Sequence, residues 1–134
     1  MTSERGTVTV TRPVPHVELL RAEGHAPGEV VDSILELRDV IIRESGRILI
    51  FDDLEMMTGY DSAVRVRLTE WSRLHKPKIG SFHIRTRSRV AAMGVTVANL
   101  ALGGHIRAHA RREDFEAALD GELRRAPHLA ASPH

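Results

Sequence analysis

The side chains best suited to chemistry lie between a predicted buried strand and the helix that follows it. Asp52 and Asp53 come directly after the unbroken apolar run Ile48–Phe51. Residues typical of a turn and a helix start then precede a helical pattern: Gly59, Tyr60, Asp61 and Ser62. Because open α/β sheets bind ligands and partners where their parallel strands end, we expect the functional site between Asp52 and Arg65.

The acidic pair raises the question of a metal site. Two-component receiver domains also carry an acidic pair after a strand, but they need a further acceptor aspartate and a lysine after two later strands. The corresponding strand ends here carry Thr86, Ser88 and the Arg111-Arg112 step. The chain therefore lacks the rest of such a site, and we predict neither a metal ion nor another cofactor.

Asp61 and Ser62 have two interpretations. A side-chain oxygen at a helix start can accept hydrogen bonds from free backbone N–H groups, which contributes ~1 kcal/mol. Alternatively, the exposed positive end of the helix docks a partner or accepts a phosphate group. For the second interpretation the predicted docking residues are those around the helix start: Asp53, Tyr60, Asp61, Ser62 and Arg65.

Two further groups of polar residues could form sites. Arg85, Arg87 and Ser88 form a candidate anion-binding site at a helix start, although solvated strand ends explain the same residues. His105 and His109 are four residues apart, which is ~13 Å along a strand, so we predict no zinc site. We also predict no catalytic residue, because no Ser-His-Asp or Cys-His set can be singled out. We expect the chain not to be an enzyme. An uncharacterised enzyme ranks third among the functional alternatives, after two kinds of binding protein.

Composition narrows the class of protein. The 134 residues suit one domain with a real core, and 42% apolar and 28% charged residues are an ordinary globular balance. The absence of cysteine, of a secretory signal and of any membrane-length apolar run predicts a cytoplasmic location. A net charge of +1 with one Trp, one Tyr and three Phe disfavours nucleic-acid binding.

Hydrophobic periodicity predicts nine elements in the order ββαβαβαβα. The predicted strands are Thr7–Thr11, His16–Ala22, Arg47–Phe51, Gly80–Arg87 and Ile106–Ala110. The predicted helices are Glu29–Ser45, Asp61–His75, Arg89–Leu102 and Arg112–Arg125. This alternation implies a single α/β domain over residues 7–126, with a mixed, mostly parallel five-stranded sheet covered by helices. Residues 1–6 and 127–134 are predicted to be flexible.

Three local details follow from the same patterns. Pro13 is expected to end the first strand, because proline cannot donate to a ladder. Gly24 is expected to lie in the turn before the first helix. In the fourth strand, alternation places Ile79, Phe82 and Ile84 inward and His83, Arg85 and Arg87 outward.

The third helix is apolar nearly all round, and such a helix is usually covered. An interface between copies of the chain is the first interpretation, and a mobile wall over a pocket for an apolar ligand is the second. Simple core packing is the third. The candidate residues for the interface or the apolar-ligand surface are Met93, Val97 and Leu100.

The order of elements and the Tyr60-Asp61 step before the second helix resemble the STAS family, and more closely its SpoIIAA-like group. The resemblance covers about residues 7–125 and implies a non-catalytic bacterial signalling module that docks a protein partner, such as a regulator or kinase, at the second helix. In anti-sigma factor antagonists of this family the helix starts with Asp-Ser-Ser-Gly, and the second serine is phosphorylated. Here the run is Asp61-Ser62-Ala63-Val64, so the resemblance favours binding over phosphorylation. The group is also likened to the CRAL-TRIO lipid-binding type, which makes a lipid or another apolar small molecule the alternative ligand.

Overall fold

The computed structural model describes the backbone of residues 6–130 and the side chains of residues 6–125. Five strands and four helices follow one another in the predicted order. The strands are β1 Gly6–Val14, β2 Val17–Ala26, β3 Ile48–Tyr60, β4 Ile79–Thr86 and β5 Ile106–His109. The helices are α1 Val31–Ser45, α2 Ser62–Leu74, α3 Arg89–Ala101 and α4 Arg112–Ala130. Short 3₁₀ turns at Gly28–Val30 and Lys76–Lys78 precede α1 and β4.

The strands form one five-stranded sheet in the order β1-β2-β3-β4-β5. β1 and β2 are antiparallel and the other pairs are parallel, which confirms the predicted fold class. Helices α1, α2 and α3 cover one face, where Ile41, Trp71 and Leu102 pack on apolar strand residues. Helix α4 crosses the other face, where Phe115 and Leu119 pack on Phe51 and its neighbours. No helix in the described part of the chain is long and apolar enough to cross a membrane.

Strand β3 is longer than predicted, because the expected polar loop after Phe51 belongs to it. Its second half pairs in parallel with β2 as far as Ala26↔Tyr60, and two register shifts interrupt the ladder. These irregularities break the alternation that marks a strand in sequence. Asp52 and Asp53 therefore do not end the strand; both lie inside it and are buried.

β1 also runs further than predicted. It continues through Pro13 to Val14, since β1 is an edge strand and its register with β2 shifts between Thr11 and Val14. Gly24 lies inside β2 rather than in a turn, with a positive φ of 70° that suits glycine.

The predicted chain ends are tested only in part. Gly6 is already part of β1 and pairs with Gly24 of β2, and α4 continues beyond residue 126 to Ala130. Residues 1–5 and 131–134, for which flexibility is expected, lie outside the described residues.

The alternation of β4 predicts that His83 and Arg85 face outward, away from the core. This prediction is wrong, because both side chains are buried. They do lie on the sheet face opposite Ile84, but α4 covers that face. Arg87 follows the end of β4 and is exposed, as expected. Period-2 alternation identifies the two faces of a strand, and it does not reveal whether a later helix covers the polar one.

The edge of β5 is closed by a side chain from α3. The Asn99 amide donates to the Ile106 carbonyl at 3.1 Å, and its Oδ1 accepts from the Ile106 N–H at 2.8 Å. Asn99 thus satisfies the backbone groups of Ile106 that a sixth strand would use, which protects the edge against pairing with another chain.

Candidate functional site

The start of α2 is held in place by Asp61, whose side chain does not cap the helix. Asp61 Oδ2 accepts from the Gly28 N–H at 2.9 Å, and Oδ1 lies 2.7 Å from His25 Nε2. The Asp61 backbone N–H donates to the Ala26 carbonyl at 2.9 Å. Of the two interpretations of Asp61, side-chain capping of α2 is therefore wrong, since its carboxylate is used to tie the end of β2 and the turn before α1 to the helix start.

Ser62 and Ala63 form the exposed first turn of α2. Within the described residues no side chain accepts a hydrogen bond from the Ser62 or Ala63 N–H, and the positive end of the helix dipole lies at these exposed residues. Arg67, one turn further on, is held by Asp32 of α1 through an ion pair of 2.6 Å. The exposed patch at the α2 start is defined here as Ser62 and Ala63.

The other three predicted docking residues are occupied elsewhere. Tyr60 lies against α3, where a Cβ at Gly94 would sit 2.3 Å from its hydroxyl oxygen. Arg65 is half-buried and lines a cavity under the helices. Asp53 is only 5% exposed and lies on the opposite face of the sheet, at 3.3 Å from Arg112 and 3.5 Å from Arg21. The structure thus brings Tyr60, Asp61 and Ser62 together and separates Asp53 from them.

We expect Asp61→Ala to lower the free energy of unfolding by about 2 kcal/mol, because the substitution leaves the Gly28 N–H and His25 without their acceptor. Ser62→Ala is the matched control at the next, exposed position and is expected to change stability by less than about 0.5 kcal/mol. Urea denaturation of both variants measures the difference. Equal stabilities would contradict the structural role given to Asp61.

A buried ionic cluster underlies this region and was not predicted. Arg38 of α1 is fully buried and donates to Glu18 through Nε at 2.6 Å and Nη2 at 3.0 Å. Its Nη2 also lies 3.2 Å from Asp52 Oδ2. Burial raises the pKa of Asp52 to about 8, and Glu18 adds to the rise whereas Arg38 opposes it. Asp52 and Asp53 therefore serve two different networks on opposite faces of the sheet.

The predicted anion site at Arg85, Arg87 and Ser88 is not assembled. Arg85 donates to Glu55 at 2.9 Å and to the carbonyls of Thr86 and Ala110 at 3.2 Å each. Ser88 Oγ accepts from the Ala91 N–H at 3.3 Å and so caps α3. Because Glu55 already neutralises Arg85, an anion at this place would meet a carboxylate as well as a cation.

The α3 surface is the outer row Val90, Met93, Val97 and Leu100 of that helix. Met93 and Leu100 are 69% and 80% exposed, which is unusual for aliphatic side chains of this size. Small residues face inward instead, namely Ala91 and Gly94. Beneath them, between the sheet and the three helices, lies a cavity of about 100 Å³ with an almost entirely apolar lining.

Two histidines on the α4 face form a pair that sequence spacing missed. His83 Nδ1 lies 2.8 Å from His109 Nε2, and the His83 ring stacks on Phe51 with centroids 4.6 Å apart. Burial lowers the pKa of His83 to about 4, with His109 and Arg107 adding to the effect. Burial also lowers the pKa of His109. The pair is therefore neutral at pH 7, with one ring donating to the other.

This pair predicts a loss of stability in mild acid. Between pH 6.5 and about 4 the unfolded chain binds a proton at His83 that the folded chain does not. The stabilisation is complete above pH 6.5 and decreases as the pH falls towards 4. We expect the change in unfolding free energy from pH 7 to 4.5 to be about 2 kcal/mol less favourable in the wild type than in His83→Phe, which keeps the ring stack without the proton. Guanidinium denaturation at the two pH values measures this difference, and equal changes would contradict it.

Metal binding finds no support in the geometry. Among the side chains that the structure describes, no three His, Asp or Glu groups converge as a metal site needs. His105 Nε2 lies 3.0 Å from the Ile79 carbonyl oxygen.

Comparison with solved structures identifies the fold. No protein-family model and no curated protein sequence matches the chain. An uncharacterised DUF3478-family protein from Shewanella loihica PV-4, described as having a SpoIIAA-like fold, superimposes with a TM-score of 0.64 at 14% identity. That match covers 89% of this chain and 98% of the other. An anti-sigma factor antagonist from Mycobacterium paratuberculosis superimposes with a TM-score of 0.58 at 13% identity, covering 88% and 97%. The chain therefore has the SpoIIAA-like fold that the sequence resemblance predicted.

Proposed function

We propose that this SpoIIAA-like domain is a non-catalytic regulatory module that binds a protein partner through the exposed patch at the α2 start. The proposal rests on one combined observation: the start of α2 has no side-chain cap, and Asp61 anchors it from beneath. Asp61 fixes the first turn through His25 and Gly28, so Ser62 and Ala63 are presented in one geometry. A preorganised surface loses little conformational entropy on binding.

The chemistry of the patch favours a partner that brings an acceptor group. The first N–H groups of α2 are donors, and the helix dipole adds positive potential at the same place. A carboxylate or a carbonyl of the partner satisfies these donors. Ala63 stands where the resemblance places the phosphorylated serine, so the proposed function is constitutive docking, and Ser62 is the hydroxyl left for contact.

Site-specific crosslinking tests this proposal. A photoreactive amino acid at position 63 is expected to give a covalent adduct with a host protein in intact cells. The same group at Ser33, which is exposed in the first turn of α1, is the matched control and is expected to give none. Adducts of equal yield from both positions, or from neither, would count against docking at α2.

A second candidate function, binding of a lipid or another apolar small molecule, is favoured by the cavity behind α3. Tyr60, Gly94 and Ala98 line this cavity. Helix α3 has no acidic residue; Arg89 lies at its start, and Lys76 Nζ lies beside Gly103 just after its end. An apolar row with cations at both ends suits an amphiphile with an anionic head group.

Native mass spectrometry of protein purified from its own host distinguishes the two functions. A retained lipid mass favours the apolar-ligand binder, and a retained protein favours the docking module. Light scattering at micromolar concentration tests the further proposal that two copies pack through the α3 surface, since a strict monomer would rule out that interface.

A further inference from the structure

A wide groove lies on the α4 face of the sheet, away from the α2 start and from the apolar cavity. It runs between the second half of α4 and the first residues of β4 and β5, and its volume is about 870 Å³. This volume is within the range of small-molecule sites, roughly 300–1,000 Å³. Its lining is rich in small residues, among them Gly80, Ser81, Ala118 and Gly121.

Gly121 keeps the groove open without a structural need for glycine. It lies inside α4, where glycine is less favourable than alanine by about 1 kcal/mol. Its φ is not positive, and no heavy atom lies within 4 Å of the position that a Cβ would take. Neither the backbone conformation nor the packing requires a glycine at position 121. The absence of a side chain therefore only leaves free space in the groove beside α4.

The charges of the groove are predominantly positive. Arg107, Arg124 and Arg125 line it, and Glu122 is the one carboxylate among its described lining residues. Glu122 is already paired with Arg125. For Arg107 and Arg124 no salt bridge is formed with any carboxylate in the described part of the chain. Arg107 also contributes, after burial and His109, to the lowered pKa of His83, which places its positive charge next to the groove.

Two residues of the groove wall offer little to a ligand. Ser81 Oγ is inaccessible to solvent, so a ligand in the groove does not reach it. Phe82 is the one Phe, Tyr or Trp among the described lining residues and packs in the core on the opposite face of the sheet. Recognition in the groove therefore depends on its arginines.

We propose that this groove binds a small polyanion that carries two or more phosphate or carboxylate groups. Arg107 and Arg124 would contact two separate anionic groups. A small ligand is favoured over a macromolecule because the free space over Gly121 is local. This site is independent of the docking surface on α2.

An NMR titration with pyrophosphate at constant ionic strength tests the proposal. We expect saturable amide shifts concentrated at Ser81, Arg107 and Gly121. Gly121→Leu, which fills the groove and raises helix propensity, is expected to weaken binding at least tenfold, as is the double variant Arg107→Gln/Arg124→Gln. Arg73→Gln, an exposed arginine on α2, is the matched control and is expected to leave the affinity unchanged.

Three outcomes would overturn the proposal. One is equal shifts at all surface arginines, which indicates unspecific ion binding. Another is an unchanged affinity in Gly121→Leu, provided that its amide spectrum shows a folded protein. The third is binding of an oligoglutamate peptide at the same residues without binding of pyrophosphate, which assigns the groove to an acidic protein segment.

Discussion

Arg38→Met is expected to lower the free energy of unfolding by about 3–5 kcal/mol, because it leaves the buried Glu18 carboxylate without its counter-charge. Arg38 is fully buried, and its guanidinium carbon lies 5.4 Å from the Trp71 ring centroid and 5.8 Å from that of Phe82. Methionine replaces the contacts with these rings but not the charge. Urea denaturation at pH 7 measures the loss, and Arg43→Met at an exposed position of the same helix is the control.

The rest of the cluster sharpens this prediction. Burial raises the pKa of Asp52 to about 8, so its carboxyl carries less negative charge at pH 7 than an ordinary aspartate, and Asp52→Asn is expected to cost less than Arg38→Met. The raised pKa also means that this group's contribution to stability falls as the pH rises from 4 towards 8, since the folded chain holds the proton longer than the unfolded one. A triple apolar variant, Glu18→Leu/Arg38→Met/Asp52→Leu, is expected to regain most of the loss. Equal stabilities of Arg38→Met and Arg43→Met would contradict the account.

Phe51→Ala is expected to cost about 3–5 kcal/mol, the usual range for removing a fully buried aromatic side chain. Phe51 is inaccessible to solvent, stacks on His83 and meets the edge of the Phe115 ring at a centroid distance of 5.9 Å. Its loss therefore loosens both α4 and the histidine pair. Denaturation at pH 7 measures the cost, and Phe51→Leu, which keeps most of the volume, is expected to lose less than about 1.5 kcal/mol.

The same variant has a second readout. If Phe51 is what keeps water from His83, the pKa of His83 is expected to rise from about 4 towards its ordinary value in Phe51→Ala, as NMR titration would show. A stability loss below 1 kcal/mol, or an unchanged His83 titration in a folded variant, would contradict the packing described for this face.

The element order was predictable because it depends on local patterns. The apolar rows of the helices, the stop at Gly46 with its φ of 78° and the unbroken run Ile48–Phe51 are all short-range signals. The alternation of strands and helices then restricts the topology to a mostly parallel sheet. These signals were sufficient for the fold class and for the SpoIIAA-like resemblance.

The details of the site depend on distant residues and were not predictable in this way. Asp61 is held by Gly28 and His25, which lie 33 and 36 positions earlier in the chain. The second half of β3 is a strand because β2 pairs with it, although its own residues look like a loop. Nothing near Asp61 in the sequence reveals His25 and Gly28 as its partners. In the same way, nothing near Glu55 reveals its partner Arg85.

One missed feature did leave a signal. The buried positions of α1 are Val31, Ile34, Arg38 and Ile41, so Arg38 occupies a core position of the helix. An arginine in an apolar row predicts a buried acidic partner. Glu18 lies within a predicted strand and Asp52 directly follows one, so both are candidates for this acidic partner.

Quantitative affinity capture from host cells tests the central claim, docking at the α2 start, most directly. We expect the wild type and the control Ser33→Asp to enrich the same protein, and Ser62→Asp to lose at least nine-tenths of it. The new carboxylate of Ser62→Asp would place a negative charge at the positive end of α2, where it repels the acceptor group of the partner. A protein retained equally by all three, or a lipid retained with no protein, would contradict the account.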